Sequence, residues 1–291
     1  MTWQRVLTAL VLIPVVVAIV LFTPTWAVAL ATAVITILAL REYFALGDAI
    51  GHRAYRLWTI FSALLLVYVQ TIKAVTGVVR WEGQWLFLQG GSDHLPLGHL
   101  TIAGFLFVFV VGLTVLTLWT PRALVETLPA AGISSSGLLL VAFPLSFAVL
   151  LHGFPARGPR LLLFALTIIW ASDTVAYFVG RAIGKHPLAP KVSPKKTWEG
   201  SIAGMLGSLL VAYAFHYWLT IPLPHLLAMA ALGNIAGQMG DLLESACKRS
   251  AGVKDSGGLL PGHGGVLDRI DALILCIPVI WYYLVLVNPH F

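Results

Sequence analysis

Apolar residues fill this chain in blocks long enough to cross a bilayer, and the polar residues are gathered between the blocks. A hydrocarbon core of ~30 Å needs about 20 apolar residues in a helix. Nine stretches approach that length: residues 6–23, 26–46, 57–73, 100–119, 133–152, 161–180, 199–218, 223–240 and 270–287. The eighth is among the shortest. The pattern therefore predicts an all-α, polytopic integral membrane protein with about nine transmembrane helices. Val6 to Phe22, with Ala27-Val28-Ala29 behind it, has the outline of a signal peptide and its cleavage site. That apolar run is long and a second follows almost at once, so a retained first span is expected.

Composition agrees: 59% of the 291 residues are hydrophobic and 10% are charged, which is far from the balance of a soluble domain. The net charge of +6 does not imply nucleic acid, because the basic residues sit in short loops between apolar spans and form no single soluble face. Membrane orientation accounts for them. With the N-terminus in the cytosol, fourteen Lys and Arg fall on the cytosolic side and only Lys73, Arg80, Arg157 and Arg160 on the other, the asymmetry expected of cytoplasmic loops. Nine spans then put the C-terminus outside and the charged segments 181–198 and 241–269 in the cytosol, as the lining of a cytosol-facing polar cleft. Cys247 and Cys276 imply no disulfide framework. The chain divides into N-terminal transmembrane helices, 1–125, and a C-terminal catalytic region, 126–291.

Most of the legible chemistry follows residue 170. Asp173 lies in an otherwise apolar helix, where a carboxylate costs about 2.5–3.5 kcal/mol on insertion scales. It either bonds a neighbouring helix or lines a polar cavity. Between Lys185 and Gly200, three prolines forbid a regular helix, while Ser193, Lys195, Lys196 and Thr197 supply donors suited to phosphate oxygens. Orientation alone also accounts for a basic loop there, so both readings stand. If the eighth helix runs on past the bilayer, Asp241, Glu244, Ser245 and Lys248 share one face. They form either a metal ligand with a phosphate clamp or a cluster of helix-end charges. Gly233, Gly237 and Gly240 read as packing positions between helices.

The stretch from Ser245 to Asp271 is the longest near the C-terminus that a bilayer would reject. It holds Lys248, Arg249, Lys254, Arg269, Asp255, Asp268, Asp271 and His263, and glycines including Gly264 and Gly265 give it a loop able to approach a ligand closely. Asp268 and Asp271 share a helical face. Two carboxylates ~4 Å apart repel by about 4 kcal/mol at an effective dielectric of ~20, a conflict that a divalent cation resolves. An all-oxygen set suits Mg²⁺. His263 has no cysteine or histidine partner at zinc spacing, which favours a phosphate or leaving-group contact. Acidic ligands, clustered cations and a glycine loop together fit displacement at phosphorus. The residues themselves point to an intramembrane phosphotransfer enzyme with a cytosolic nucleotide or phosphate donor.

These motifs resemble those of the phosphatidate cytidylyltransferases, also called CDP-diacylglycerol synthases. The signature of that family runs Ser-x-hydrophobic-Lys-Arg, Lys-Asp, a glycine-rich turn to His-Gly-Gly, and Asp-Arg-x-Asp. Ser245, Lys248-Arg249, Lys254-Asp255, Gly257, Pro261, His263-Gly264-Gly265, Asp268-Arg269 and Asp271 occupy it in order. Ser193 to Gly200, the Asp173 helix and Gly240-Asp241 are similar as well, so the resemblance covers roughly residues 165–280. It implies that the phosphate of phosphatidate attacks the α-phosphorus of CTP to give CDP-diacylglycerol and pyrophosphate. On that footing Asp241 and Asp268 hold Mg²⁺, with Asp271 and Asp255 as support or further ligands. Lys248, Arg249, Lys254 and Arg269 neutralise substrate oxygens. Ser193, Lys195, Lys196, Thr197, Ser245, His263, Gly264, Gly265 and Asp173 complete the substrate-binding set. The resemblance also implies a monovalent cation such as K⁺, a homodimer and the inner membrane.

One departure is Cys247, where the pattern usually has a larger aliphatic residue, and it bears on packing rather than chemistry. The rivals fare less well. A CDP-alcohol phosphotransferase resembles Asp-Gly-x-x-Ala-Arg followed by aspartates four apart, and neither feature is here. A CTP-dependent polyprenol kinase is a more distant alternative. An ion-coupled transporter would place its charges near the midplane, whereas these sit in loops. Asp268→Asn is expected to abolish turnover while leaving thermal stability near wild type.

Overall fold

The computed structural model describes residues 2–76, 78–81, 84–87, 102–259 and 264–287, with side chains described from residue 10 onward and outside 78–87. His263 and Pro261 lie outside the described residues. The helices are α1 (Thr2–Phe22), α2 (Thr25–Ala49), α3 (Arg56–Thr76), α4 (Ile102–Trp119), α5 (Thr127–Gly137), α6 (Phe143–His152), α7 (Gly158–Ile183), α8 (Trp198–Leu219), α9 (Leu223–Ser250) and α10 (Leu267–Leu286). A π-helical turn, Leu138–Ala142, joins α5 to α6. It comes just ahead of Pro144, which has no N–H to donate to the preceding turn.

Among the described residues, eight helical segments are long and apolar enough to cross a membrane, α5 and α6 counting as one, and α1 adds the shorter apolar run Leu10–Phe22. The hydropathy blocks thus become helices where they were expected. The short eighth block, 223–240, is the inner part of α9, a helix of 28 residues. At 1.5 Å per residue α9 is about 42 Å long, so it outruns a ~30 Å hydrocarbon core. Its last turns carry Asp241 to Lys248 as one continuous helix, the condition under which those residues share a face.

Two buried cores hold the bundle. One gathers Phe147, Leu161, Phe164, Ile168, Leu226, Met229 and Ile280 from α6, α7, α9 and α10. The other gathers Leu40, Phe44, Leu66, Phe109 and Leu138 from α2, α3, α4 and the π-helical turn, and α10 adds Leu267, Ile270 and Ile274 to it. Helix α10 therefore touches the N-terminal helices on one face and the C-terminal helices on the other. Helices α9 and α10 approach closely where α9 carries glycine: a Cβ at Gly240 would collide with the carbonyl oxygen of Asp271. Phe107, Leu118, Leu206 and Leu210 stay exposed on α4 and α8, which suits helices that face hydrocarbon rather than water.

The proline-rich segment before α8 is a small antiparallel hairpin, not an irregular loop. Strand β3 (Pro187–Ala189) pairs with β4 (Ser193–Thr197) through Pro187 opposite Thr197 and Ala189 opposite Ser193, with a register shift between them. Earlier in the chain, β1 (Val78–Trp81) pairs antiparallel with β2 (Gln84–Phe87). Prolines are tolerated in β3 and β4 because each is an edge of a two-stranded ribbon, where half of the backbone N–H groups need no ladder partner. Thr197 ends β4 and caps α8, its Oγ1 accepting from the N–H of Gly200 at 3.2 Å.

Candidate active site

The hairpin, α7, α8 and the outer half of α9 enclose a cavity of about 570 Å³. Asp173, Arg181, Lys195, Lys196, Thr197 and Gln238 line it. Asp173 therefore faces a polar cavity, one of the two roles its position in an apolar helix allowed. The ammonium of Lys196 pairs with Asp241, tying β4 to α9. Ser245 Oγ donates to the other oxygen of Asp241 at 3.4 Å. The charges of Asp241, Lys196 and Arg269 all act on Asp173, and Asp271 lies within electrostatic reach of Asp173, Asp241 and Glu244.

Toward the C-terminal end of α9 a second cluster links it to α10. Lys248 is buried at 8% exposure and its ammonium bridges Glu244 and Asp268, the latter at 2.6 Å. A lysine so placed keeps its charge only because two carboxylates surround it. The other oxygen of Asp268 accepts from the N–H groups of Ser256 and Gly265 at 3.0 and 2.8 Å. Asp268 thus pins both ends of the glycine loop. Gly264 has φ of +77°, and a Cβ there would stand 2.6 Å from Asp268, so glycine is required on both counts.

Beneath the cavity runs a chain of neutral polar groups. Asn234, fully buried, donates to Ser172 Oγ at 2.6 Å and to Ser208 Oγ at 2.8 Å, and accepts from Gln238 Nε2 at 2.6 Å. Ser201 bonds Gln238 in turn.

The expected residues do not all converge. Asp173, Lys196, Asp241, Ser245, Lys248, Asp268 and Asp271 form the connected set just described. Arg249 reaches back to the hairpin, Nε donating to the carbonyl of Val192 at 3.3 Å. Lys254 and Asp255 are exposed on the loop, as is Arg269 at the start of α10. Ser193 sits at the far end of β4, opposite Ala189.

Sequence reasoning missed Glu42 of α2. One of its oxygens accepts from the N–H of Val266 at 2.9 Å, and the other from the N–H of Leu267 at 2.8 Å and the hydroxyl of Ser256 at 3.0 Å. The signal was available: Glu42 is a carboxylate in an apolar span, the same anomaly that singles out Asp173.

No group of three or more His, Cys, Asp and Glu among the described residues is arranged to hold a metal ion. Mg²⁺ does not require one, since it binds through one or two carboxylates together with substrate phosphates and water. Asp241 fits that demand, with hard oxygens in an acidic neighbourhood beside the cavity-lining Lys196. Both carboxylates already have partners, Asp241 in Lys196 and Ser245 and Asp268 in Lys248 and two backbone donors, so either would exchange some of them for the ion.

A cytidylyltransferase family model matches residues 3–287. The chain is 35% identical over 303 aligned positions to a phosphatidate cytidylyltransferase of Haemophilus influenzae, covering 96% of this chain and 97% of that one. A phosphatidate cytidylyltransferase of Brucella abortus is 38% identical over 244 positions, 81% of each chain. One of Bacillus subtilis is 36% identical over 177 positions, 59% of this chain and 66% of that protein.

Proposed function

The chain belongs to the cytidylyltransferase family, and from that premise we propose that it transfers the cytidylyl group of CTP to phosphatidate in the membrane. A phosphate oxygen of phosphatidate attacks the α-phosphorus of CTP. The bond from that phosphorus to the bridging oxygen breaks, and pyrophosphate leaves with the electron pair. A phosphate monoester is largely ionised near neutral pH, its second pKa being about 6 in phosphoamino acids. No strong general base is needed, and catalysis is positioning and charge neutralisation.

The observation that carries this reading is the pairing of the cavity-lining Lys196 with Asp241, which joins the two sequence motifs expected to bind phosphate and metal. Lys195, Lys196, Arg249, Lys254 and Arg269 are the cations offered to substrate oxygens. Lys248 is committed to Glu244 and Asp268, so its part is to hold those carboxylates in place. Mg²⁺ would be held by Asp241 and Asp268 with Asp271 and Asp255 in support, and it would neutralise charge on the triphosphate. Tyr177 and Ile202, exposed beside the cavity on α7 and α8, suit a lipid whose acyl chains remain in the bilayer.

The same proposal includes a bacterial inner-membrane location, cytosolic site loops with the C-terminus outside, a monovalent cation such as K⁺ and a homodimer. The fourteen-to-four bias in basic residues supports the orientation, because CTP is cytosolic. Purified protein in detergent should release pyrophosphate from CTP only when phosphatidate and Mg²⁺ are both present. Folded protein that releases none above a lipid-free blank defeats the assignment.

A further inference from the structure

We infer that Glu42, far from the signature in sequence, is a positioning residue of this reaction: it holds Ser256 on one flank of the glycine loop and Val266 and Leu267 on the other in the arrangement from which the signature meets the substrate phosphates. The inference rests on the proposed reaction for its kinetic consequence and on geometry for everything else. Glu42 draws three donors from Ser256, Val266 and Leu267, so one side chain closes the loop at its base. The first N–H groups of a helix have no partner within the helix. Here Val266 and Leu267, where α10 begins, find theirs on α2, with the acidic side chain placed at the favourable end of the helix dipole.

The fit is close on every side. A Cβ at Gly257 would stand 2.7 Å from one oxygen of Glu42, and one at Gly265 would collide with the other oxygen and with Ser256 Oγ. Two glycines of the signature are therefore explained by the approach of a residue from the N-terminal helices. Ser256 joins the two carboxylates, giving its hydroxyl to Glu42 and its backbone N–H to Asp268. Moving Glu42 moves Ser256, and through it the oxygen of Asp268 that holds Gly265. The neighbour Tyr43 is directed elsewhere, its hydroxyl donating to Ser136 at 2.9 Å.

The test uses the full-length protein carrying Glu42→Gln or Glu42→Ala. Glutamine keeps one accepting oxygen but turns an NH₂ toward a backbone donor, whereas alanine keeps neither. Loss of a hydrogen bond to a charged group corresponds to roughly tenfold or more. kcat/KM for CTP, per folded molecule, should therefore fall by at least about tenfold in Glu42→Gln and further in Glu42→Ala. KM for phosphatidate should stay within about twofold, on the expectation that a triphosphate-facing loop leaves the lipid contacts in place. Glu42→Ala with wild-type kcat/KM for CTP, or a loss that merely follows the folded fraction, overturns the proposal.

A second readout does not depend on turnover. Amide hydrogen exchange at Gly265, Val266 and Leu267 should accelerate in Glu42→Gln while the middle of α9 stays protected. Unchanged exchange at those amides overturns the positioning role even if the wild-type protein is fully active. Accelerated exchange in a protein that releases no pyrophosphate upholds the clamp and defeats the assigned reaction instead.

Discussion

Replacing Asp268 by asparagine separates two ideas about what that carboxylate does. Asp268 gives one oxygen to Lys248 at 2.6 Å and the other to two backbone N–H groups at 3.0 and 2.8 Å. Asparagine has one oxygen and one NH₂. Facing the loop with its oxygen, it points NH₂ at the ammonium of Lys248; turned over, it points NH₂ at two N–H donors. Either way a buried donor is stranded, at about 1–3 kcal/mol. The bridge to Lys248 is weakened as well, although Glu244 still holds that ammonium. A total of about 2–4 kcal/mol follows, below the ~3–5 kcal/mol of a fully broken buried pair. At roughly 2–4 °C per kcal/mol for chains of about this size, the melting temperature in detergent should drop by on the order of 5–15 °C. The sequence reading expected loss of turnover with stability near wild type; the geometry revises the second half. Asp271→Asn is the control, because Asp271 accepts only from the adjacent N–H of Ala272 among the contacts described and sits among like charges. It should melt at or slightly above wild type. Melting curves at one scan rate decide the matter, and Asp268→Asn melting with Asp271→Asn would refute the reasoning.

Lys196→Ala removes the link between β4 and Asp241, so KM for CTP should rise on the order of tenfold with a smaller change for phosphatidate, as steady-state kinetics would show. Asn234→Ala leaves Ser172 and Ser208 without their shared donor in the bundle interior, and should lower stability by about 1–3 kcal/mol in a thermal melt without altering KM for either substrate. Gly265→Ala should cost at least about tenfold in turnover by driving a methyl into Glu42, with partial recovery in the double variant Gly265→Ala/Glu42→Asp, whose shorter acid withdraws from the methyl.

The helices were legible because a bilayer admits few solutions: apolar blocks of about 20 residues must satisfy their own backbone groups, and a helix does so. The signature was legible for the converse reason, since charge is scarce enough that Lys248, Asp268 and their neighbours stand out. Three features stayed hidden. The β3–β4 pairing was invisible because Pro187, Pro190 and Pro194 argue against helix and do not argue for strand. Glu42 was passed over as one more residue near the end of a span, since its partners lie more than two hundred residues ahead and only tertiary contact reveals them. Asn234, Gln238, Ser172 and Ser201 carry no charge, so a search for ionisable groups could not find them.

Those neutral residues explain how the site is built into a membrane helix. Asn234, Gln238, Asp241, Ser245 and Lys248 recur along α9 at intervals of four, three, four and three residues, a single stripe about 21 Å long. The polarity along it is graded: amides and hydroxyls bonded to one another lie toward the middle of the helix, and charges gather at its end. Burying a hydrogen-bonded amide costs far less than burying an ion. The grading therefore carries a polar lining inward from the end of the bundle while keeping the full charges of α9 in its outer turns, where the hairpin and α10 supply partners. A lipid phosphate has to reach only those outer turns, and its acyl chains can stay beside the apolar residues of α7 and α8. Moving a charge inward, as in Gln238→Glu, tests the grading directly. It would set a carboxylate against Asn234 Oδ1 and should reduce folded yield, while Gln238→Asn, shorter but neutral, should keep it.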